Sequence, residues 1–372
     1  MEVEIRTMAQ NTMTPAELTK TLKVLKTAKE AKLTKVAVAG GSGYAGQELI
    51  RLLAQHPNVN LTAIGTNSHD GDKFSDINPG FAGMVDNICT DLNIEALAEG
   101  NDLIFLALPH GSAARLLSSS VLQKSKVIDL SGDFRLKNAA KHLLANGKPF
   151  DAAYGLPELN RHDIAHASLV ANPGCYATAA ILSLAPLVKA GLIVENSVII
   201  DGKSGVSGAG RAPSLHIQFA ECNETMAAYQ LPHHRHTPEI EQTLSAYAAD
   251  DVITTFAAHL VPMNRGILLT SYATMKTTVS KEEVTEAYLN SYKNEPFVRL
   301  WHNRGSMPET RWVKGSNFCD IGFALDQRSN RIVTVAAIDN LIKGAAGQAI
   351  QNMNIILGID ETTGIAQIPS FL

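Results

Sequence analysis

One cysteine stands where a loop of turn formers gives way to a helix, the setting a reactive thiol requires. In Ala171-Asn172-Pro173-Gly174-Cys175-Tyr176-Ala177-Thr178 a Pro-Gly turn precedes the thiol. The apolar run Tyr176 to Lys189, stopped by Gly191, predicts a helix after it. Asn172 stands where a side chain can accept hydrogen bonds from free backbone N–H groups. A cysteine in a first helical turn lies at the positive end of the helix dipole, which favours the thiolate that attacks carbonyl carbon. Taken alone, a cysteine beside an apolar helix is more often a packing residue. A second reactive stretch is His233-His234-Arg235-His236-Thr237-Pro238-Glu239. Thr237 and Pro238 read as the cap and first residue of a helix, which leaves His236 just outside it. An imidazole paired with Glu239 or Glu241 can cycle between base and acid near neutral pH, so His236, and after it His234, is the candidate proton carrier. No further ligands stand at recognisable spacing, so a metal is not expected.

Upstream of these groups the chain offers a site for a nucleotide. Val36-Ala37-Val38-Ala39 predicts a buried strand, followed by Gly41-Ser42-Gly43-Tyr44-Ala45-Gly46 and a helix over 47–55. G-x-G-x-x-G between strand and helix lets backbone approach a pyrophosphate at the helix N-terminus. The second strand, over 61–64, ends in Gly65-Thr66-Asn67-Ser68, about 20 residues past the last glycine, where an NAD site usually carries an acid. Thr66 and Ser68 in its place favour NADP, whose 2′-phosphate an acid would repel, although Asp70 is near. Pro109-His110, after a strand over 103–108, is a candidate neighbour of the nicotinamide. Asn340-Leu341-Ile342-Lys343-Gly344 opens a last helix whose small residues permit close approach to a cofactor, so Asn340, Lys343 and Gly344 join the candidates.

Three arginines are candidates for an anionic substrate. Arg135 follows Asp133-Phe134, and pairing with Asp133 and binding a phosphate or carboxylate are both open to it. Lys203-Ser204-Gly205-Val206-Ser207-Gly208-Ala209-Gly210-Arg211 is too glycine-rich for regular structure and offers N–H groups, Ser207 and Arg211 to an anion. Arg265 stands beside a strand.

The chain of 372 residues exceeds the usual single core, so two domains are expected. Short alternating strand and helix units predict a Rossmann-type α/β domain over 35–174, with 340–372 packing back on it. Longer strands over 197–201, 257–262, 267–274 and 331–337 predict an α+β catalytic and dimerisation domain over 175–339, with a mostly antiparallel sheet. Residues 1–34 form an extension, with a helix expected from Thr14-Pro15. Hydrophobic residues at 45% and charged ones at 18% suit a compact enzyme, and a net charge of −4 argues against a nucleic-acid partner. No apolar run reaches the roughly 18 residues of a membrane span. Four cysteines without metal or disulfide spacing point to reduced thiols and a cytoplasmic location.

Together, thiol, imidazole, nucleotide fold and arginines suit an acyl-phosphate reductase: thiolate displaces phosphate, and the resulting thioester accepts hydride. The sequence resembles the N-acetyl-gamma-glutamyl-phosphate reductases of arginine biosynthesis from about Lys35 onward. The likeness rests on 41–46, on Ala-Asn-Pro-Gly-Cys-Tyr-Ala-Thr at 171–178, on His-Arg-His-Thr-Pro-Glu-Ile at 234–240 and on Asn-Leu-Ile-Lys-Gly-Ala-Ala-Gly-Gln-Ala at 340–349. It implies an aspartate-semialdehyde-dehydrogenase-like architecture, NADPH as reductant, Cys175 as the acyl-bearing nucleophile, an acyl phosphate and inorganic phosphate as ligands, and a homodimer or homotetramer. Asp133-Phe134-Arg135 also matches a family segment, which implicates Arg135 in the substrate site. The alternatives are a related reductase of the lysine or aspartate pathways and a silent NADP-binding regulator.

Overall fold

A computed structural model describes residues 33–137, 144, 147 and 150–370. The helix expected from Thr14 lies outside them. The first sheet comprises β1 (Thr34–Ala39), β2 (Val59–Gly65), β3 (Cys89–Thr90), β4 (Leu103–Leu106), β5 (Lys126–Asp129), β6 (Ala153–Tyr154) and β7 (Leu169–Ala171). Their order is β3-β2-β1-β4-β5-β7-β6, and every pair is parallel. Along β1, Val36 and Val38 enter one apolar cluster while Ala37 and Ala39 enter another on the opposite face. Burial on both faces explains why the strand reads as a continuous apolar run. Chain order reverses at β1 and β4, and a crevice opens past the carboxyl ends of such strands.

The glycine-rich turn lies in that crevice. Its helix, Tyr44–Leu53, starts inside the motif rather than at Gln47, and neither a capping side chain nor an acid occupies its first turn. A Cβ on Gly46 would fall 2.2 Å from the Gly40 carbonyl oxygen, and one on Gly41 would fall 2.4 Å from the Ile64 side chain. Helix and strands meet closely because both positions lack side chains.

The second sheet comprises β8 (Val198–Gly205), β9 (Ala227–Tyr229), β10 (Thr254–Val261), β11 (Ile267–Thr274), β12 (Val298–Leu300), β13 (Cys319–Asp326) and β14 (Arg331–Ile338). In the order β12-β13-β14-β11-β8-β10-β9, only the β12/β13 and β8/β10 pairs are parallel, which makes the sheet mostly antiparallel. Inward residues such as Ile200, Phe256, Leu269, Ile321 and Ala336 pack on the helix Cys175–Lys189, buried from Tyr176 through Val188. Lys203, Ser204 and Gly205 belong to β8 rather than to an irregular loop. A Cβ on Gly202 would fall 2.6 Å from the Tyr176 ring, and one on Gly205 would fall 2.7 Å from the Asn264 carbonyl oxygen, so these glycines serve close packing within a strand. The last helix, Gly347–Ile356, returns to the first sheet and places Ala349, Ile350 and Met353 in one cluster with Val36, Leu49 and Phe105.

Candidate active site

Cys175 is the first residue of its helix, and the cap is Gly174, which has no side chain to offer. Asn172 does not fill that role. It is buried, its Nδ2 donates to the Ala345 carbonyl at 3.1 Å, and its Oδ1 accepts from Asn352 Nδ2 at 3.0 Å. The acceptor for the turn comes from another part of the chain. Glu239 Oε1 takes the Gly174 N–H at 2.8 Å and the Tyr154 O–H at 2.7 Å, while Oε2 lies 3.3 Å from Arg135 Nη1. Arg135 also donates to the carbonyls of Asn172 at 2.7 Å and Leu130 at 3.1 Å. It therefore does not pair with Asp133, whose carboxylate takes the N–H groups of Gly111 and Ala114 and faces His110 Nδ1 at 2.9 Å.

His236 occupies the N-cap position of the helix Thr237–Ser245 without a capping side-chain hydrogen bond, so Thr237 is that helix's first residue and not its cap. A Cβ on Gly174 would lie 2.3 Å from His236 Nε2, so the imidazole rests on the bare Cα next to Cys175. The expected pairing of His236 with Glu239 or Glu241 is not made. Glu239 points back at the Gly174 turn, and Glu241 accepts the Thr254 N–H at 2.8 Å. His236 Nδ1 is buried with no hydrogen-bond partner among the described residues. His234 Nδ1 accepts the His236 N–H at 3.1 Å, and its ring meets Tyr176, Tyr229 and Phe256 edge to face.

Burial, with Arg235 beside it, lowers the His234 pKa to about 4. Burial also takes His236 well below the usual imidazole range, with Arg135, His234 and Arg235 adding to the effect. Both rings are held neutral at pH 7. The thiol departs from the sequence expectation. Burial pushes Cys175 up, and Arg235, the Tyr176 N–H and Arg135 offset this only in part. Desolvation outweighs the helix end, so the resting pair is a thiol and a neutral imidazole rather than a preformed thiolate.

Two cavities meet at Cys175, Arg235 and His236: one of about 530 Å³ over the glycine-rich turn, and one of about 670 Å³ on the β9 side. Ser42, Gly43, Tyr44 and Ala45 line the first, together with Pro109, His110, Asn340 and Gly344. Gly41 and Gly46 pack beneath it. N–H groups at the start of the Tyr44 helix, with no side-chain cap and no acid in its first turn, suit a pyrophosphate. Thr66 is buried and accepts the His69 N–H at 3.2 Å, and Ser68 is exposed outside the cleft; Asn67 lines it instead. Lys343 is buried away from the cleft, with Nζ 2.6 Å from Glu158 Oε1 and 2.8 Å from Gln351 Oε1. Gly344 does approach the thiol, since a Cβ there would fall 2.8 Å from Cys175 Cβ.

Asn340 bridges Ser207 Oγ at 2.9 Å and the Gly266 N–H at 2.7 Å, which ties the Ser207 loop to the cleft. Arg211 lines the cofactor side, donating to the Ser42 carbonyl at 2.7 Å. Arg265 lines neither cavity; its Nη2 lies 2.7 Å from Glu48 Oε2 on the Tyr44 helix. Sequence reasoning overlooked Arg235, which lines both cavities, and Tyr154, which anchors Glu239. The only signal for Arg235 was its place between two histidines. Among the described residues no three His, Cys, Asp or Glu side chains gather as metal ligands would, and no helix is long and apolar enough to cross a membrane.

Comparison with known proteins bears on the same residues. The profile of the semialdehyde dehydrogenase NAD binding domain matches 35–167, and that of the semialdehyde dehydrogenase dimerisation domain matches 175–340. The chain is 48% identical to the N-acetyl-gamma-glutamyl-phosphate reductase of Pelotomaculum thermopropionicum, over 89% of this chain and 97% of that one. It is 46% identical to that of Clostridium novyi, over 91% and 99%. Among solved structures, aspartate semialdehyde dehydrogenase II of Vibrio cholerae aligns with a TM-score of 0.67 at 16% identity, over 88% of this chain and 98% of that one. The Candida albicans aspartate semialdehyde dehydrogenase with NADP aligns with a TM-score of 0.67 at 17% identity, over 87% and 98%. At such identities the likeness establishes the fold.

Removing the Glu239 carboxylate would strand the Arg135 guanidinium, the Gly174 N–H and the Tyr154 hydroxyl. Glu239→Ala is expected to cost about 3–5 kcal/mol in urea unfolding. Glu239→Gln, which keeps an acceptor oxygen, should cost less. A Glu239→Ala protein as stable as the parent would contradict the assignment of this carboxylate as the clamp.

Proposed function

Because the chain belongs to the N-acetyl-gamma-glutamyl-phosphate reductase family of semialdehyde dehydrogenases, we propose that its two cavities serve one reaction, the NADPH-dependent reduction of N-acetyl-L-glutamyl 5-phosphate to N-acetyl-L-glutamate 5-semialdehyde and phosphate. The observation that carries this reading is the junction of the two cavities. There Cys175 opens a helix with its thiol between them, and His236 rests on the Cα of the preceding glycine.

In this reading the cleft over Ser42 to Ala45 takes NADP(H), with the pyrophosphate at the start of the Tyr44 helix. The cavity lined by Ser204, Thr225 and Tyr229 takes the acyl chain. His236 accepts the Cys175 proton as sulfur bonds to the acyl carbon, and the carbon–oxygen bond to phosphate breaks with its electron pair leaving on phosphate. Cys175 is left carrying a thioester. Bound NADPH supplies the hydride that brings this carbon to the aldehyde level. The N–H groups at the start of the Cys175 helix face the developing oxyanion, and return of the proton from His236 accompanies release of the thiol. His236 is preferred to His234 as the carrier because His234 Nδ1 is committed to the His236 N–H. Glu239 and Asn172 position the turn and exchange no proton.

The two sheets support a nucleotide-binding unit over 35–174 with 340–372 and a catalytic unit over 175–339. The four unpaired thiols suit a reducing, cytoplasmic compartment. A homodimer would form across the outer face of the second sheet, where Leu268, Thr270 and Tyr272 of β11 and Val333 and Val335 of β14 are half-buried and lie outside the apolar clusters among the described residues. A homotetramer would need a second contact of this kind.

Two outcomes are expected. Purified protein should oxidise NADPH when given freshly generated N-acetylglutamyl phosphate, and Cys175→Ser should cut turnover by at least about 10⁴-fold while NADP binding persists. Loss of NADP binding in that variant would make Cys175 a packing residue. Sedimentation should give a dimer or larger species, weakened by Tyr272→Asp; a monomeric parent protein would remove the proposed interface.

A further inference from the structure

The arginines around the cleft are not equivalent. Arg135 spends its guanidinium on Glu239 and two carbonyls, Arg211 donates to the Ser42 carbonyl, and Arg265 faces Glu48. Arg235 is exposed, and among the described residues nothing hydrogen-bonds its guanidinium. It lines both cavities next to Cys175, and its backbone is fixed on either side by the buried rings of His234 and His236. Of the charged groups acting on the Cys175 thiol, Arg235 has the largest effect, ahead of Arg135. Cys175 and Arg235 both line each of the two cavities, so the residue borders the space a substrate at the sulfur would fill.

The chemistry of an acyl phosphate decides what such a cation meets. The attacked carbon must come within roughly 3–3.5 Å of sulfur. Phosphorus is joined to that carbon through one bridging oxygen, so the phosphoryl oxygens lie beside the sulfur. The carboxylate at the far end of an N-acetylglutamyl chain is separated from the same carbon by two methylenes and the α-carbon, and extends away into the β9-side cavity. We propose that Arg235 is the phosphoryl-binding residue of this site, pairing two phosphoryl oxygens with two guanidinium N–H groups. In the reductive direction it holds the phosphate that departs with the electron pair of the broken carbon–oxygen bond. In the reverse direction it orients inorganic phosphate, whose oxygen bonds to the thioester carbon as the carbon–sulfur bond breaks and sulfur leaves as thiolate.

The inference rests on the reaction proposed above, and the experiment keeps the two separate. Parent protein is first given N-acetylglutamate semialdehyde, NADP and phosphate; an absence of phosphate-dependent NADPH formation would overturn the reaction itself. With that activity in hand, Arg235→Met is expected to raise the KM for phosphate about 30-fold, the loss of charge-assisted hydrogen bonds, and to move the KM for semialdehyde less than about 3-fold. Arsenate should follow phosphate, and Arg235→Lys should recover part of the loss. An unchanged phosphate KM would overturn the assignment. So would a rise confined to the semialdehyde KM, which would give the guanidinium to the substrate carboxylate instead.

Discussion

The buried carboxylate of Glu239 is the contact on which the site depends. One oxygen holds the Gly174 N–H and the Tyr154 hydroxyl, and the other faces Arg135, which in turn donates to the Asn172 carbonyl before the turn and to the Leu130 carbonyl after β5. Glu239 sits in the first turn of the helix that His236 immediately precedes. The clamp that fixes the turn before Cys175 therefore also fixes the distance between that turn and the imidazole. Removing a carboxylate from water is costly, and three donors converge on it in compensation. Such a group holds one geometry well and tolerates loss of a partner poorly.

With the carboxylate spent on position, His236 has no acidic partner among the described residues, and its neighbours Arg135 and Arg235 are cations. The imidazole therefore begins neutral and able to accept a proton. The thiol begins protonated because burial opposes its charge. Proton transfer replaces this neutral pair by a thiolate beside cations and a helix N-terminus, groups that stabilise the sulfur charge once it forms. The site is thus built around a charge that develops during the reaction, with the dipoles already oriented.

What was legible in the sequence was what local chemistry dictates. Glycines at 41, 43 and 46, the Pro-Gly turn before Cys175, and the apolar strands each carry their own reason for their structure. The rest depended on partners distant in sequence. Glu239 reads as the acid for a neighbouring histidine, yet it serves Gly174 and Arg135, which only the fold brings near. Lys343 reads as a cofactor ligand, yet Glu158 and Gln351 meet it inside the core. The stretch 203–205 reads as a loop because Gly202 and Gly205 belong to a strand pressed against Tyr176 and Asn264. Arg235 reads as a spacer between two histidines, and that nothing among the described residues hydrogen-bonds its guanidinium is visible only in three dimensions.

The account stands on Cys175 carrying the acyl group, and that species can be trapped. Protein mixed with N-acetylglutamate semialdehyde and NADP in the absence of phosphate, quenched in acid and digested, should show an N-acetylglutamyl thioester on the peptide holding Cys175, discharged by prior addition of phosphate. An adduct on Cys222, or NADPH formed with no acylated cysteine at all, would contradict it.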